Sequence, residues 1–467
     1  MDSFKSIFYF LFLLLQMPCV ASPPSSLHQA FDSDKQTQVS YCFIDLNTKK
    51  ILAQHNPKQA LTPSSLIKLL VSATAFHHLG QDARFKTSII ANGNLDKKGT
   101  LKGQLILKGY GDPSLSYNEL KSLVINCKEQ GIRNIEGSLE IDDSYFLGNN
   151  LPMHLEEEDI FEPLASESSS LILDKNLFLI SIFPPQNKNG LKASISIRQK
   201  APYIIVDNQT IFENRKGSTT LSTKKMPDKH KLQIYGTMYS NTPPTHRRFS
   251  FPNPSLYSHA VFKELFRTEK AAVKQPLPNG FLNQEIASHL SKPLSKVSYV
   301  VNKDSSNAES DLLLFAVAKA TDPESKNLRQ SGISAVKSFY HQTTGLKPSF
   351  DFYNGSGLSR QSLLSCFQVV KLLEGVNSLP FSQSFHDSLS IAGKDGSLVQ
   401  RFKSSPLNGK LYGKTGQTRG NQGLAGYFQT KSNSSIAFCV LVNDFTGGNK
   451  RAQDAIDEMV LKIYEQF

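Results

Sequence analysis

Hydrophobic and polar residues alternate along residues 39–46 and 50–55. The polar triplet Asn47-Thr48-Lys49 lies between these stretches and suits a tight turn, so the pattern predicts a β-hairpin. After Pro63 and Ser64 the chain becomes mostly apolar, which predicts the start of a helix that is buried on most of its sides. A hairpin that leads into a buried helix indicates that strands and helices pack together at this end of the chain.

The C-terminal part shows a related pattern. Three alternating stretches predict consecutive strands at residues 410–414, 423–429 and 435–443. Apolar residues at helical spacing predict one helix over residues 309–320 and a last amphipathic helix over residues 451–466. Together with the N-terminal hairpin, these elements predict helices packed on an antiparallel sheet, which is an α+β fold.

The region between these parts has a different character. Short alternating runs, punctuated by Gly, Asn and Pro, predict β-strands rather than helices. They are residues 86–91, 103–108, 192–198, 203–206 and 231–235. We therefore predict that one domain, formed by residues 22–85 and 286–467, is split by a β-rich insertion over residues 86–285 that forms one or two extra domains.

Three short motifs lie in the two flanking parts: Ser65-Leu66-Ile67-Lys68, Ser305-Ser306-Asn307 and Lys414-Thr415-Gly416. A serine hydroxyl is a weak nucleophile until a base removes its proton, and a lysine one helical turn away lies within reach. A lysine acts as a base only when burial or a second cation lowers its pKa, and Lys414 is the candidate for that cation. The set predicts a serine acyl-transfer site.

Each motif alone is a weak signal. A serine followed three residues later by a lysine also occurs at Ser222 and Ser334, and Ser116-Tyr117-Asn118 imitates the second motif. The ordered set of three is the feature that penicillin-binding proteins and serine β-lactamases share. The stretch between Ser65 and Ser305 is too long for a structureless loop, which independently supports an inserted domain.

Four further stretches, at residues 109–115, 354–360, 391–398 and 424–427, separate this chain from the compact β-lactamases. They resemble the class C low-molecular-mass penicillin-binding proteins, the D-alanyl-D-alanine carboxypeptidase/endopeptidase family. The resemblance implies a transpeptidase/β-lactamase-like domain with two extra domains. It also implies a serine peptidase that cleaves D-Ala-D-Ala termini or D-Ala cross-links of peptidoglycan stem peptides and that β-lactams inhibit covalently.

The resemblance implies three catalytic residues, namely Ser65 as the nucleophile, Lys68 as its base and Ser305 as the proton relay to the leaving amine. Backbone N–H groups of Ser65 and Gln417 are expected to hold the oxyanion. The substrate-binding residues that it implies are Asn307, Lys414, Thr415, Gln417 and Thr418. No metal and no organic cofactor is required by this scheme.

The chain departs from the family pattern in two of these motifs. Ser306 replaces the usual aspartate of the second motif, and we expect little effect from this change. Gln417 stands where the family usually has Thr or Ser, and we expect weaker carboxylate recognition or a shift toward cross-links. Asp142 or Asp143 is a candidate for binding a free amine of the stem peptide, with a turn or cap role as the alternative.

Two other functions use the same fold. A β-lactamase or esterase needs a base for the deacylating water, and the sequence does not identify one. A non-catalytic cell-wall-binding protein is expected to lack one of the reactive groups, whereas all of them are present here. We therefore expect a peptidase, although the balance of carboxypeptidase and endopeptidase activity and the oligomeric state stay open. His289 is expected to be structural rather than catalytic.

The N-terminus predicts where the protein works. Lys5 precedes an apolar run at residues 7–15, and Cys19 and Ala21 are small residues at the third and first positions before a cut, which indicates a signal peptide over residues 1–21. No later stretch is apolar for long enough to suggest a membrane helix. We therefore expect a periplasmic protein without a transmembrane anchor after signal removal.

The net charge of +12 is explained by a solvated basic surface, with attraction to an anionic cell wall or membrane as the alternative. Basic residues occur in short pairs rather than long blocks, so we expect no nucleic-acid partner. Four cysteines follow the predicted signal peptide, and their spacing shows no metal pattern. We expect buried thiols, with one disulfide as the open alternative; they are Cys42, Cys127, Cys366 and Cys439.

Overall fold

The computed structural model describes residues 35–146, 167–185, 191–197, 204–225, 231–250 and 253–467. The predicted signal peptide over residues 1–21 lies outside these residues. Among the residues described, no helix is long and apolar enough to cross a membrane.

The described chain forms sixteen strands and nine α-helices. The strands are β1 (Gln38–Asp45), β2 (Ile51–His55), β3 (Lys86–Leu95), β4 (Thr100–Gly109), β5 (Asn134–Asp142), β6 (Leu177–Phe183), β7 (Ser194–Ile197), β8 (Ile205–Glu213), β9 (Ser222–Lys225), β10 (Lys231–Tyr239), β11 (Thr245–Ser250), β12 (Gly280–Leu290), β13 (Ser390–Ile391), β14 (Leu411–Thr418), β15 (Asn421–Gln429) and β16 (Ser435–Asn443). The helices are α1 (Ile67–Leu79), α2 (Tyr117–Glu129), α3 (Pro254–Thr268), α4 (Leu294–Asn302), α5 (Asn307–Thr321), α6 (Leu328–Thr344), α7 (Cys366–Val376), α8 (Ser382–Ser388) and α9 (Asn449–Gln466).

The largest sheet joins the two ends of the chain. Its six strands lie in the order β13-β14-β15-β16-β1-β2, and every neighbouring pair is antiparallel. The predicted hairpin is confirmed as β1 and β2, and the Asp45 carboxylate accepts the N–H groups of Asn47 and Thr48 at 2.8 and 2.9 Å in the turn. The predicted C-terminal strands and last helix are confirmed as β14, β15, β16 and α9.

Both faces of this sheet are covered by helices. Tyr41 and Phe43 of β1 pack in a core with α9, whereas Cys42 and Ile44 pack in a second core with α1, α5, α6 and α7. Successive side chains of a strand point to opposite faces, so burial on both sides explains why β1 is apolar throughout. The three sequence motifs lie at the start of α1, at the start of α5 and on β14.

The region between α1 and α4 has its own hydrophobic core. A four-stranded sheet in the order β12-β3-β4-β5 shares this core with two three-stranded sheets, β8-β10-β9 and β11-β6-β7. The chain enters the region along β3 and leaves it along β12, and these strands pair directly, with Lys86 opposite Leu290. Because the predicted boundary at residue 285 falls inside β12, we propose that the insertion ends at Leu290 instead.

The β-rich insertion also contains two helices, α2 and α3, which the alternating runs did not indicate. Both helices begin with a local signal in the sequence. Ser116 caps α2 in a reciprocal pair with Glu119, and Asn253 caps α3, which has Pro254 in its first turn. The Ser116-Tyr117-Asn118 imitation of the second motif is therefore a helix cap.

The four cysteines in the described part of the chain are buried, and none of them forms a disulfide. Cys42 and Cys439 lie opposite each other on β1 and β16, and the Cys366 thiol donates to the Ser40 carbonyl at 3.3 Å. Burial raises the pKa of Cys42 and of Cys127 to about 12. These thiols act as small apolar groups of the core, as expected.

Candidate active site

Ser65 lies in a short 3₁₀ turn, Ser64–Leu66, just before α1. The α-helix begins at Ile67, one turn later than the sequence predicts, because Ser64 has a φ of 50° and interrupts the helical backbone. The Ser65 side chain is half-buried, whereas the helix that follows is buried over Ile67–Phe76. The serine is therefore open to a substrate while its neighbours are not.

Two glycines allow the backbone to close around this turn. A Cβ on Gly357 would lie 2.0 Å from the Ser64 carbonyl oxygen, and one on Gly416 would lie 2.6 Å from the Pro63 carbonyl oxygen. Real Cβ atoms do not approach backbone oxygens this closely, so only glycine fits at either position. The turn with Ser65 is thus held between β14 and the loop that contains Gly357.

The Lys68 side chain is completely buried and donates three hydrogen bonds. Its Nζ lies 2.8 Å from Ser65 Oγ, 2.7 Å from Asn307 Oδ1 and 2.7 Å from the Ser356 carbonyl oxygen. Burial lowers the pKa of Lys68 to about 7, and the negative charges of Asp311 and Glu309 act against this effect. A lysine with this pKa is substantially neutral near pH 7, as a general base must be.

The three acceptors also orient the neutral amine. A neutral amine has two hydrogens and one lone pair, and the Asn307 and Ser356 carbonyl oxygens can only accept a hydrogen bond. The Ser65 hydroxyl can donate as well as accept. When Lys68 is neutral, its two hydrogens are therefore taken by Asn307 and Ser356, and its lone pair faces the Ser65 hydroxyl.

Lys414 is a second buried amine, next to Ser305. Its Nζ donates to Ser305 Oγ and to the Thr415 carbonyl oxygen, each at 2.8 Å. Burial, together with the positive charge of Lys68, lowers the pKa of Lys414 well below its usual value. Burial is the cause that lowers the pKa of Lys68, which is one of the two causes predicted from the sequence, and a contribution of Lys414 as the second cation stays a prediction.

Ser305 and Ser306 lie in the connection between α4 and α5. Ser305 has a φ of 57°, a left-handed conformation that is uncommon for serine, and this turn presents its hydroxyl to Lys414. Ser306 is the N-cap residue of α5, and its hydroxyl donates to the carboxylate of Glu309. Glu309 is buried and also pairs with Lys175 of the insertion at 3.4 Å.

The predicted substrate-binding residues on β14 have different surroundings. The Thr415 hydroxyl donates to the exposed Ser397 hydroxyl at 2.8 Å. The Thr418 hydroxyl lies 3.0 Å from Ser64 Oγ, beside the nucleophile. The Gln417 side chain is exposed and accepts a 3.4 Å hydrogen bond from Gln453 of α9. The structure therefore places Thr418 beside Ser64 and Thr415 beside Ser397, and it directs the Gln417 amide to another element.

Five of the proposed residues thus form two contiguous groups, Ser65 with Lys68 and Asn307, and Ser305 with Lys414. Ser356 and Ser397, which complete the contacts, have no role in the sequence prediction. Both lie in stretches that carry the family resemblance, at residues 354–360 and 391–398. Their position in these stretches is the sequence signal that could have identified them as site residues. Their contacts join residues far apart in the chain, so the sequence alone does not reveal them.

The remaining candidates lie in the insertion. Asp142 pairs with Lys108 at 2.8 Å, and the Asp143 carboxylate accepts a hydrogen bond from Ser255. His289 lies 3.6 Å from the buried carboxylate of Asp112, which supports a structural role. Within the described ranges, no group of three or more His, Cys, Asp or Glu side chains has the geometry of a metal site.

Comparisons with known proteins agree with this geometry. The model of the D-Ala-D-Ala carboxypeptidase 3 (S13) family matches residues 26–465 of the chain. The D-alanyl-D-alanine carboxypeptidase DacB of Haemophilus influenzae is 26% identical over 423 residues, which cover 88% of this chain and 87% of that protein. The D-alanyl-D-alanine carboxypeptidase of Actinomadura sp. strain R39 is 25% identical over 435 residues, which cover 88% of this chain and 79% of that protein.

The crystal structure of penicillin binding protein 4 (dacB) from Haemophilus influenzae has the same fold. It superimposes with a TM-score of 0.80 at 25% identity and covers 94% of this chain and 98% of that chain. The α+β architecture predicted from the sequence, with its additional sheets, is confirmed.

Proposed function

The chain belongs to the D-Ala-D-Ala carboxypeptidase 3 (S13) family, and from this membership we propose that it hydrolyses D-Ala-D-Ala termini or D-Ala cross-links of peptidoglycan through an acyl-enzyme on Ser65. The observation that carries the proposal is the contact between Ser65 Oγ and the buried Lys68 Nζ at 2.8 Å. A buried amine of lowered pKa beside an accessible serine is the arrangement that activates a hydroxyl nucleophile.

Acylation begins when neutral Lys68 removes the Ser65 proton. The Ser65 oxygen then attacks the carbonyl carbon between two D-alanines, and the resulting oxyanion accepts hydrogen bonds from the backbone N–H groups of Ser65 and Gln417. Collapse of this intermediate breaks the C–N bond. Ser305 accepts a hydrogen bond from Lys414, so its own proton is available for the leaving amine. The proton that Lys68 took from Ser65 then replaces it, which restores both Ser305 and neutral Lys68.

Substrate binding involves the residues around this pair. Asn307 orients Lys68 and has an amide nitrogen for the substrate backbone. Lys414, Thr415 and Thr418 provide an amine and two hydroxyls that can donate hydrogen bonds to the terminal carboxylate of D-alanine. We assign no side-chain role to Gln417, because its amide contacts α9.

A water molecule then hydrolyses the ester on Ser65 and completes the cycle. A terminal D-alanine is released when the substrate is a stem peptide, whereas a cross-link is opened when the amine belongs to a second stem. A β-lactam has a reactive amide in a similar position, so it acylates Ser65 and blocks the site.

The expected location agrees with this substrate. The signal peptide predicted over residues 1–21 directs the chain to the periplasm, where peptidoglycan stem peptides are accessible. The basic surface of the chain, with a net charge of +12, favours association with an anionic wall or membrane surface.

The test is intact-mass spectrometry after incubation with benzylpenicillin, on the wild-type protein and on Ser65→Ala. We expect one penicillin on the wild type and none on the variant. Ser334→Ala is the matched control, because Ser334 also precedes a lysine by three residues but is exposed, and Lys337 pairs with Asp351 at 2.7 Å. This control is expected to be acylated like the wild type.

Two results would contradict the proposal. Rapid consumption of benzylpenicillin without an adduct would indicate a β-lactamase on the same site. The absence of any reaction would favour a non-catalytic protein that binds the cell wall.

A further inference from the structure

Asp311 is a buried carboxylate next to the proposed site, on the first half of α5. Its Oδ1 accepts the backbone N–H of Gly355 at 2.6 Å, and the neighbouring Ser310 hydroxyl donates to the Gly355 carbonyl oxygen at 2.7 Å. The Gly355 backbone is therefore anchored to α5 through both its N–H and its C=O. A Cβ at this position would lie 2.8 Å from the Ser310 carbonyl oxygen, so glycine is required for the approach.

This anchor determines where the next carbonyl points. Ser356 follows Gly355, and its carbonyl oxygen accepts one hydrogen from Lys68 Nζ at 2.7 Å. The Asn354 side chain holds the other end of the loop, since its Oδ1 accepts the N–H groups of Gly357 and Leu358 at 2.8 and 3.0 Å. A displaced loop would leave Lys68 with one acceptor fewer and a poorly oriented lone pair.

The charge of Asp311 acts on the same amine. Burial raises the pKa of Asp311, whereas the nearby cations Arg329 on α6 and Lys68 on α1 and the hydrogen bond from Gly355 favour its charged form. Arg329 Nη1 lies 3.9 Å from Asp311 Oδ1. Glu309 on its own helix is a second buried carboxylate, and Lys175 of the insertion pairs with it. A negative charge in a poorly solvated site stabilises a nearby ammonium group more than it would in water.

We propose that Asp311 is a positioning residue of the acylation step. It anchors the loop whose Ser356 carbonyl orients Lys68, and its charge stabilises the ammonium that Lys68 becomes when it takes the Ser65 proton. The inference rests on the proposed function, because it assigns to Asp311 an effect on the base of that reaction. Asp311 acts through Lys68 and the loop and does not touch the substrate.

The experiment measures the second-order rate constant for benzylpenicillin acylation from pH 5 to 10. Asp311→Asn keeps the size and an acceptor oxygen but removes the charge. We expect the acid limb of its profile to move to lower pH by roughly 0.5–1 unit, since a nearby carboxylate favours the charged form of an amine. The plateau rate is expected to fall roughly tenfold, because a less basic amine removes the Ser65 proton more slowly.

Ser310→Ala separates the anchor from the charge. It removes the hydrogen bond to the Gly355 carbonyl, and we expect a plateau several-fold lower with an unshifted acid limb. Asp322→Asn is the matched control, because Asp322 lies on the exposed C-terminal end of the same helix. Its profile should superimpose on that of the wild type.

The outcomes distinguish the two proposals. If Asp311→Asn has the wild-type acid limb, Asp311 has no effect on the base, and this inference is overturned while the proposed function stands. If the wild-type protein is not acylated at all, the proposed function fails and this inference fails with it. If Asp311→Asn does not fold, the double variant Asp311→Asn, Arg329→Gln removes both buried charges together. The acid limb of its profile is expected to move to lower pH by the same amount.

Discussion

Lys68 shows how one side chain combines a proposed role as the base with a cost in stability. It is completely buried, and its pKa is lowered to about 7 because the charged form is poorly solvated there. In the unfolded chain its pKa is higher, so below about pH 7 both states are protonated and the folded state carries the full cost of the buried charge. As the pH rises from about 7 toward the unfolded value, the folded state binds fewer protons and stability increases.

The substitution Lys68→Met tests both properties. We expect acylation by benzylpenicillin to fall at least about 10³-fold, because the base is lost. At pH 6 the melting temperature should rise by roughly 2–6 °C, since a buried charge is removed whose desolvation Asp311 and Glu309 offset only in part, and the difference should shrink at pH 9. The measurements are acylation kinetics and thermal unfolding at both pH values.

Lys337→Met is the control for this experiment. Lys337 has the same spacing from a serine, but its partner Asp351 is exposed and its own side chain is accessible to solvent. The Lys337→Met variant should have the melting temperature of the wild type at both pH values. A Lys68→Met protein that is less stable than the wild type at pH 6 would contradict the account of Lys68.

At the scale of elements, the contact between β14 and the turn before α1 determines the position of Ser65, the proposed nucleophile. Gly416 lies against the Pro63 carbonyl, and the Thr418 hydroxyl reaches Ser64 Oγ at 3.0 Å. The same strand presents Lys414 to Ser305. The strand β14 therefore aligns the turn that contains Ser65 with Ser305 and with its own Lys414. A shift between β14 and α1 would separate these groups.

Gly416→Ala is expected to disturb this alignment. The new Cβ would be 2.6 Å from the Pro63 carbonyl oxygen, so the strand or the turn must move. We expect acylation to slow by roughly 10²-fold, the usual effect of a misplaced reacting group, and the free energy of unfolding to fall by about 1–3 kcal/mol. Acylation kinetics and urea denaturation measure the two effects.

Gly420→Asn in the turn between β14 and β15 serves as the comparison. Gly420 has a φ of 75° with open space around it, a conformation that asparagine tolerates. Its acylation rate is expected to stay within about threefold of the wild type. Equal rates for Gly416→Ala and the wild type would show that the contact with Pro63 does not position Ser65.

At the scale of the whole molecule, the insertion and the catalytic part have separate cores and a few specific contacts between them. The insertion has its own hydrophobic cluster. Phe146 packs edge-on against Phe315 of α5 at 5.6 Å, and Lys175 pairs with Glu309 at 3.4 Å. The insertion therefore supports the helix that carries Asn307 and Asp311, and none of its described residues belongs to the two proposed groups around Ser65 and Ser305.

Separate cores predict two unfolding steps. We expect calorimetry to resolve two transitions, and acylation of Ser65 by benzylpenicillin to raise only the one that belongs to the catalytic part, because a ligand stabilises the unit that binds it. For Ser65→Ala, benzylpenicillin should shift neither of the two transitions. A single transition that moves as a whole would indicate that the two cores unfold together.

Local sequence signals determined most of the elements and the chemistry of the site. The alternation at residues 39–46 and the ordered motifs around Ser65, Ser305 and Lys414 are periodic or short-range features, so they are visible without a structure. The capping pair of Ser116 and Glu119 was equally visible and marks a helix that the strand pattern concealed.

Only the tertiary structure decided how these residues act on one another. The pKa of Lys68 depends on burial by elements distant in sequence, and its orientation depends on Ser356, which Asp311 anchors through Gly355. The direction of the Gln417 amide was decided by α9. Desolvation and hydrogen bonding depend on which groups are neighbours in space. Those neighbours come from distant parts of the chain and are brought together only when the chain folds.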